Sequence, residues 1–211
     1  MPATPGRARS SSLRLAVLFG VVCVGCTGDQ VAAMLPVEAY RNVGSSMVPT
    51  IPAGAKFAAL RFGDSVDVVL DARRGDVVVH QVPTDTADRY VKRIVGMPGD
   101  TIAMREGVVY VNGVVHAEPY AHHSPDAVDH ALPEFAWQRP YRLPQGAGVY
   151  RPTQFAWGPL VIPPGAYLLL GDNRDNSLDS RYYGFVAAKH IRARIPSKVL
   201  DQLATRSRDA H

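Results

Sequence analysis

Tyr90-Val91-Lys92-Arg93-Ile94-Val95-Gly96-Met97-Pro98-Gly99 reads as one β-strand closed by a turn. β-Branched and aromatic residues favour extended backbone, and the Gly-Met-Pro-Gly run ends it. Period-two alternation puts Lys92 and Ile94 on one face and Val91, Arg93 and Val95 on the other. A lysine on an apolar strand face has two readings. In the first, its stem lies along the sheet and its amine reaches water. In the second, the amine is buried, desolvation favours the neutral form, and the residue serves as a general base. Moving such a lysine from about 10.4 to about 8 costs roughly 3 kcal/mol at low pH. That cost fades as pH rises toward the unfolded value.

The surrounding sequence repeats the strand pattern. Upstream, residues 55–61 form a mixed run and residues 66–70 a short β-branched one. Arg73-Arg74-Gly75 is a turn that feeds the strand Asp76-Val77-Val78-Val79-His80-Gln81-Val82. Downstream, residues 101–105 continue the pattern. Val108-Val109-Tyr110-Val111 and Val114-Val115 flank Asn112-Gly113, the strongest hairpin signal in the chain. Over residues 116–160 the alternation fades and Pro, His and aromatic residues accumulate. Pro163-Pro164-Gly165 closes that segment, residues 167–170 return as a buried strand, and residues 191–195 are the last strand. From about residue 200 the chain is polar and reads as a frayed tail. With 18 Gly and 17 Pro, short strands are favoured over long helices, so the fold class is mainly β.

Composition bounds the function. The 211 residues suffice for one good core. The net charge of +4 is spread along the chain without a Lys/Arg block or interleaved aromatics, which argues against nucleic-acid binding. Cys23 and Cys26 are the two cysteines, and both lie in an apolar N-terminal segment. No disulfide framework or thiol nucleophile is left for the rest of the chain. Arg7, Arg9 and Arg14 precede the apolar run 15–26, and a second run follows over 31–37. A basic flank before an apolar run is a targeting signal whose Arg side stays in the cytoplasm. Three forms compete: an uncleaved signal anchor, a lipoprotein signal with Cys26 lipidated, and a cleaved secretory signal.

Two other stretches carry chemistry. Gly44-Ser45-Ser46-Met47-Val48-Pro49-Thr50 is a small-residue turn in which Gly44 allows a bend and Pro49 disfavours helix. A serine on such a turn can be held in one orientation, as a nucleophile requires. Gly171-Asp172-Asn173-Arg174-Asp175-Asn176-Ser177-Leu178-Asp179-Ser180-Arg181 crowds polar side chains directly behind a buried strand. Within it Ser177 has the reach to hold an amine, and Asp179 and Arg181 can pair. Two further site readings compete. A Ser/His/Asp triad would draw on one of seven histidines, His80 among them. A metal site would draw on His116, His122, His123, Asp126, Asp129 and His130, which lack fixed ligand spacing.

Ser46-Met47-Val48-Pro49-Thr50, Arg74-Gly75-Asp76-Val77-Val78-Val79, Lys92 through Asp100 and Gly171 through Gly184 resemble, in order and rough spacing, the successive boxes of type I signal peptidases. Val37-Glu38-Ala39-Tyr40-Arg41 is similar to the family's lead-in. The resemblance covers about residues 37–105 and 160–190. It implies a mainly β fold: an antiparallel catalytic core over 39–115 and 161–199, a variable insertion over 116–160, a membrane-anchor helix within 1–38 and a C-terminal tail over 200–211. It implies a Ser/Lys dyad without cofactor or metal. Ser46 would be the nucleophile, Lys92 the base, and Ser177 the residue that orients the lysine amine. Asp179 and Arg181 would support the loop. The backbone N–H of Ser46 would hold the oxyanion. Gly44 stands where some members carry a hydroxyl donor, so a side-chain contribution is not implied. Partners would be the signal peptides of exported preproteins, cut after small residues in an Ala-x-Ala-like pattern, and the lipid of the bacterial inner membrane. The catalytic body would sit on the extracytoplasmic face of that membrane. Met47 is a substrate-pocket candidate by adjacency. The aromatics of 116–160, Trp137 and Trp157 foremost, would seat the body on lipid. Two other functions stay open: a Ser/Lys protease with one dedicated or self substrate, and a catalytically silent membrane-bound binding module.

Overall fold

The computed structural model describes residues 37–62, 71–82, 85–144 and 149–208. The basic and apolar leader up to residue 36 and the β-branched run 66–70 lie outside the described residues. Among them, eleven strands form two antiparallel sheets. They are β1 (Val37–Arg41), β2 (Lys56–Arg61), β3 (Val77–Val82), β4 (Asp85–Gly96), β5 (Thr101–Arg105), β6 (Val108–Val111), β7 (Val114–Val115), β8 (Trp157–Val161), β9 (Ala166–Leu170), β10 (Val186–Ala187) and β11 (Ile191–Ile195). The larger sheet has the order β1-β2-β11-β3-β4-β9-β10, and the smaller β7-β6-β5-β8. The mainly β reading of the sequence therefore holds.

The centre of the larger sheet is buried on both faces, which is why β3 and β9 read as nearly continuous apolar runs. Val77 and Val79 enter one cluster with Tyr40, Met47, Ile51, Phe57 and Val91. Val78 enters another with Ile94, Tyr167, Leu169 and Ile191. A third cluster joins the two sheets through Val95, Ile102, Leu160, Ile162, Leu168 and Leu170. The register of β4 on β9 shifts between Ile94 and Gly96. Gly96 suits that place, because a Cβ would crowd the Ile162, Leu168 and Ile102 side chains. Asn112 and Gly113 adopt φ of 52° and 82°, the left-handed pair that a two-residue hairpin needs, and they join β6 to β7 as the sequence predicts.

Two expectations are corrected. The chain beyond residue 200 is not frayed: Ser197–Arg208 is a helix. Val199, Leu200 and Leu203 recur at helical spacing, and Leu203 is buried against the cluster that holds Tyr40 and Ile51. A predominantly polar composition masked that stripe. The tryptophans also do not form a lipid-facing pair. Trp157 opens β8 and is only 4% exposed in the third cluster. Trp137, in the 3₁₀ segment Pro133–Tyr141, packs edge-on against Phe185 with centroids 5.0 Å apart. Its Nε1 donates to the Arg181 carbonyl at 2.9 Å. No helix among the described residues is long and apolar enough to cross a membrane.

Candidate active site

Ser46 stands on a tight turn between β1 and β2. The Val48 N–H donates to the Ser45 carbonyl at 3.0 Å, and the Ile51 N–H to the Met47 carbonyl at 2.8 Å. Asn42 Nδ2 donates to the carbonyls of Ile51 and Pro52 at 3.2 and 3.1 Å, tying the end of the turn to its start. Met47 and Ile51 drive into the core and fix the turn from beneath. Met47 is fully buried, and its side chain anchors the serine turn to the core.

Lys92 resolves the two readings of its strand in favour of burial, at 1% exposure. Its Nζ lies 2.9 Å from Ser46 Oγ and donates to the Val91 carbonyl at 2.9 Å. These distances are within general-base reach. Burial is the main force on the amine and lowers it from 10.5 to about 8. Asp179 pulls it back up, Arg181 pushes it further down, and Asp172 raises it. A neutral amine offers one N–H to Val91 and its lone pair to the serine hydroxyl.

The polar loop after β9 packs around this pair. The Asp179 carboxylate accepts from Arg181 Nε and Nη2, both at 2.8 Å, and both side chains are fully buried. It also accepts from the Gly171 N–H and, as N-cap, from the Arg181 N–H that opens the short helix Ser180–Tyr183. Burial works to raise the Asp179 carboxyl, but Arg181 and these hydrogen bonds outweigh it and hold the group below its ordinary value. The pairing read from sequence is therefore present. The Ser177 contact is different. Its Oγ is buried and makes no well-formed hydrogen bond, to the lysine or to any other group. The hydroxyl lies near Asp179 and helps keep that carboxylate ionised.

Several site residues escaped the sequence reading. Arg93 Nε and Nη2 clasp Asp172 at 2.8 and 2.6 Å, and Thr50 Oγ1 donates to the same carboxylate at 2.5 Å. Tyr120 lies over the Arg93 guanidinium, 3.8 Å from its ring centroid. Arg174 is fully buried and clasps Glu118 with two bonds of 2.7 Å, while its Nε donates to the Gly171 carbonyl at 2.9 Å. The His122 N–H donates to the Asp172 carbonyl, and the Arg174 N–H to the His122 carbonyl. The segment 116–160 thus straps the loop to the sheet. A signal for Arg93 was available: a charge on the apolar face of Val91 and Val95 needs a buried partner. No periodicity marked Glu118 or Tyr120.

Among the described residues no histidine bonds to the Ser46 hydroxyl, whose partner is Lys92. His80, fully buried, bonds to Gln81 and Tyr183. His123 lies 3.6 Å from Asp175. Among the described residues no three His, Cys, Asp or Glu side chains gather closely enough to hold a metal.

Gly171 is the point of closest approach between loop and nucleophile turn. A Cβ there would lie 2.2 Å from Ser177 Oγ and 2.5 Å from the Ser46 carbonyl oxygen. One of these contacts is backbone and cannot rotate away. Gly171→Ala is therefore expected to lower kcat by at least about tenfold, since a shift approaching 1 Å at a reacting group has such effects. Steady-state kinetics on a variant with wild-type circular dichroism check this. Unchanged kcat would mean that the turn has more slack than its contacts imply.

The family model described as "Signal peptidase, peptidase S26" matches residues 12–200. Signal peptidase I T of Bacillus subtilis (strain 168) is 34% identical over 73% of this chain and 69% of its own length. Signal peptidase I of Bacillus amyloliquefaciens is 35% identical over 73% and 69%. Signal peptidase I of Bacillus caldolyticus is 32% identical over 82% of both chains. Matched along nearly its whole length and bringing the serine of one box to the lysine of another, the chain belongs to the signal peptidase (peptidase S26) family.

Proposed function

We propose that this serine endopeptidase removes N-terminal signal peptides from exported preproteins, with Ser46 as nucleophile and Lys92 as general base. The observation that carries the reading is the 2.9 Å separation of Lys92 Nζ from Ser46 Oγ in a pocket that favours the neutral amine. Lys92 takes the Ser46 proton as Oγ adds to the scissile carbonyl. The Ser46 backbone N–H stabilises the resulting oxyanion. The ammonium of Lys92 then protonates the leaving amine, which departs as the mature protein's new N-terminus. An acyl-enzyme with the signal peptide remains, and Lys92 deprotonates a water that hydrolyses it. Asp179, Arg181 and Ser177 act by shaping the loop beside the amine. The basic and apolar leader places the catalytic body at the outer face of the bacterial inner membrane, where such substrates emerge.

The test is cleavage of a preprotein with an Ala-x-Ala junction by the full chain in detergent, compared with Ser46→Ala. Multiple turnovers by the wild type and none by Ser46→Ala are expected. A wild type that cuts only itself, once, would assign it the self-processing role. A folded wild type that cuts nothing would assign it a binding role.

A further inference from the structure

His80 is a polar residue fully buried in the centre of β3, and the dyad does not use it. It pairs with Tyr90 across the β3–β4 ladder, two residues from the Lys92 position, so His80 and Lys92 share a face of the sheet as diagonal neighbours. Its ring stands between those of Tyr90, at 6.0 Å, and Tyr183, at 5.9 Å. The Tyr90 ring is in turn 5.9 Å from Lys92 Nζ.

The hydrogen bonds fix the state of the imidazole. Nδ1 lies 3.1 Å from the Gln81 carbonyl, which can only accept, so Nδ1 carries the proton. Nε2 is then an acceptor, and Tyr183, 3.3 Å away, donates its hydroxyl to it. Burial pushes the Tyr183 hydroxyl well above its ordinary range, so it remains a donor. Burial, reinforced by the Lys92 charge, also pushes the His80 imidazole down to about 3, so it adds no charge to the pocket.

Tyr183 ends the short helix that Asp179 caps and Arg181 occupies. Those two residues exert opposite effects on the Lys92 amine, with Asp172 adding to the first. The bond from Tyr183 to His80 therefore clamps the helix bearing this charge pair onto the strand beside the base.

We infer that His80 is a positioning residue for the reaction: through its Nε2 bond to Tyr183 it holds the Asp179–Arg181 helix against the Lys92 pocket and keeps water out. The inference rests on the reading of Lys92 as the base.

If the clamp is opened, water reaches the amine. Desolvation is the main depressing influence on Lys92, so losing it raises the amine toward 10.5. The groups facing the amine are Asp179, Arg181, Asp172, Tyr90 and His80; His190 and Asp179 also act electrostatically on His80. None of the others is altered by the variants below.

His80→Phe keeps the ring but deletes the acceptor, and Tyr183→Phe deletes the donor alone. In the full chain in detergent, each is expected to move the acidic limb of kcat/KM upward by about half a unit or more. The double variant should move it no further than either single one, because both remove the same bond. His80→Gln restores an acceptor and should keep the wild-type limb. A limb unmoved in both folded single variants, with only thermal stability lowered, would make His80 a packing residue and overturn the inference. Should His80→Phe not fold, Tyr183→Phe decides by itself. The wild-type profile guards the underlying reading: if wild type shows no limb near pH 8, the assignment of Lys92 fails first and separately.

Discussion

Lys92→Met is expected to lower kcat/KM by roughly 10⁴-fold while making the folded protein more stable at neutral pH. The two effects share one origin. Lys92 is 1% exposed, and burial brings its amine from 10.5 to about 8. That depression amounts to about 3 kcal/mol of stability forgone when the amine must be charged in the fold. The folded value lies below the unfolded one. Below pH 8 both states carry the proton, and the cost is therefore complete. Between about 8 and 10.5 the unfolded chain holds more protons than the native one, so wild-type stability climbs with pH. Methionine has the length and none of the charge. Its advantage should approach about 3 kcal/mol at pH 7 and shrink through this window. Urea melts at pH 7 and pH 10 measure it. In wild type the acidic limb of kcat/KM should report the same group, near pH 8. Ser46→Ala should lose about as much activity as Lys92→Met, and the double variant little more, because nucleophile and base act as one unit. A limb near about 6.5 would point to a histidine instead. An equal loss of stability in Lys92→Met would show that the lysine's contacts outweigh its desolvation.

The residues that make this pair were legible in sequence, and the frame that holds them was only partly so. Strand periodicity places Lys92 on an apolar face, and Gly44 through Pro49 reads as a turn with an oriented serine. Neither pattern alone brings the two within 2.9 Å; they are 46 positions apart, and such a long-range contact leaves no local signal. Asp179 and Arg181 are two positions apart, and local reasoning found their pairing. Arg93 and Asp172 are 79 positions apart, and local reasoning did not find theirs. The contacts of segment 116–160 are hidden from local reading for the same reason. Its contribution consists of isolated side chains, Glu118, Tyr120 and Trp137, whose partners lie far along the chain. Helix Ser197–Arg208 was lost to composition, because three apolar residues among polar ones carry its packing face.

The ion pair missed by sequence is where the second large effect is expected. Asp172→Ala should destabilise the protein by about 3–5 kcal/mol, the cost of leaving a buried cation without its partner. Asp172 is fully buried and Arg93 is 7% exposed, so solvent does little to replace the lost contact. The carboxylate joins three pieces of chain: β4 through Arg93, the serine turn through Thr50, and its own loop. Arg93 Nη1 adds a fourth by donating to the Gly75 carbonyl at 2.7 Å. Loss of the carboxylate should loosen the Ser46 turn and the Lys92 strand together, so kcat should fall more than KM rises. Thr50→Val separates the two consequences. It removes one bond to the carboxylate and leaves the ion pair, so it should cost about 1 kcal/mol. The matched replacement Arg93→Met with Asp172→Leu removes both charges and should recover most of the stability lost by Asp172→Ala, as buried pairs do when replaced by apolar side chains of similar volume. It should not recover the activity, because leucine offers no acceptor to Thr50. If the double variant were both stable and fully active, the pair would be a folding device alone, and the geometry of the dyad would owe nothing to it.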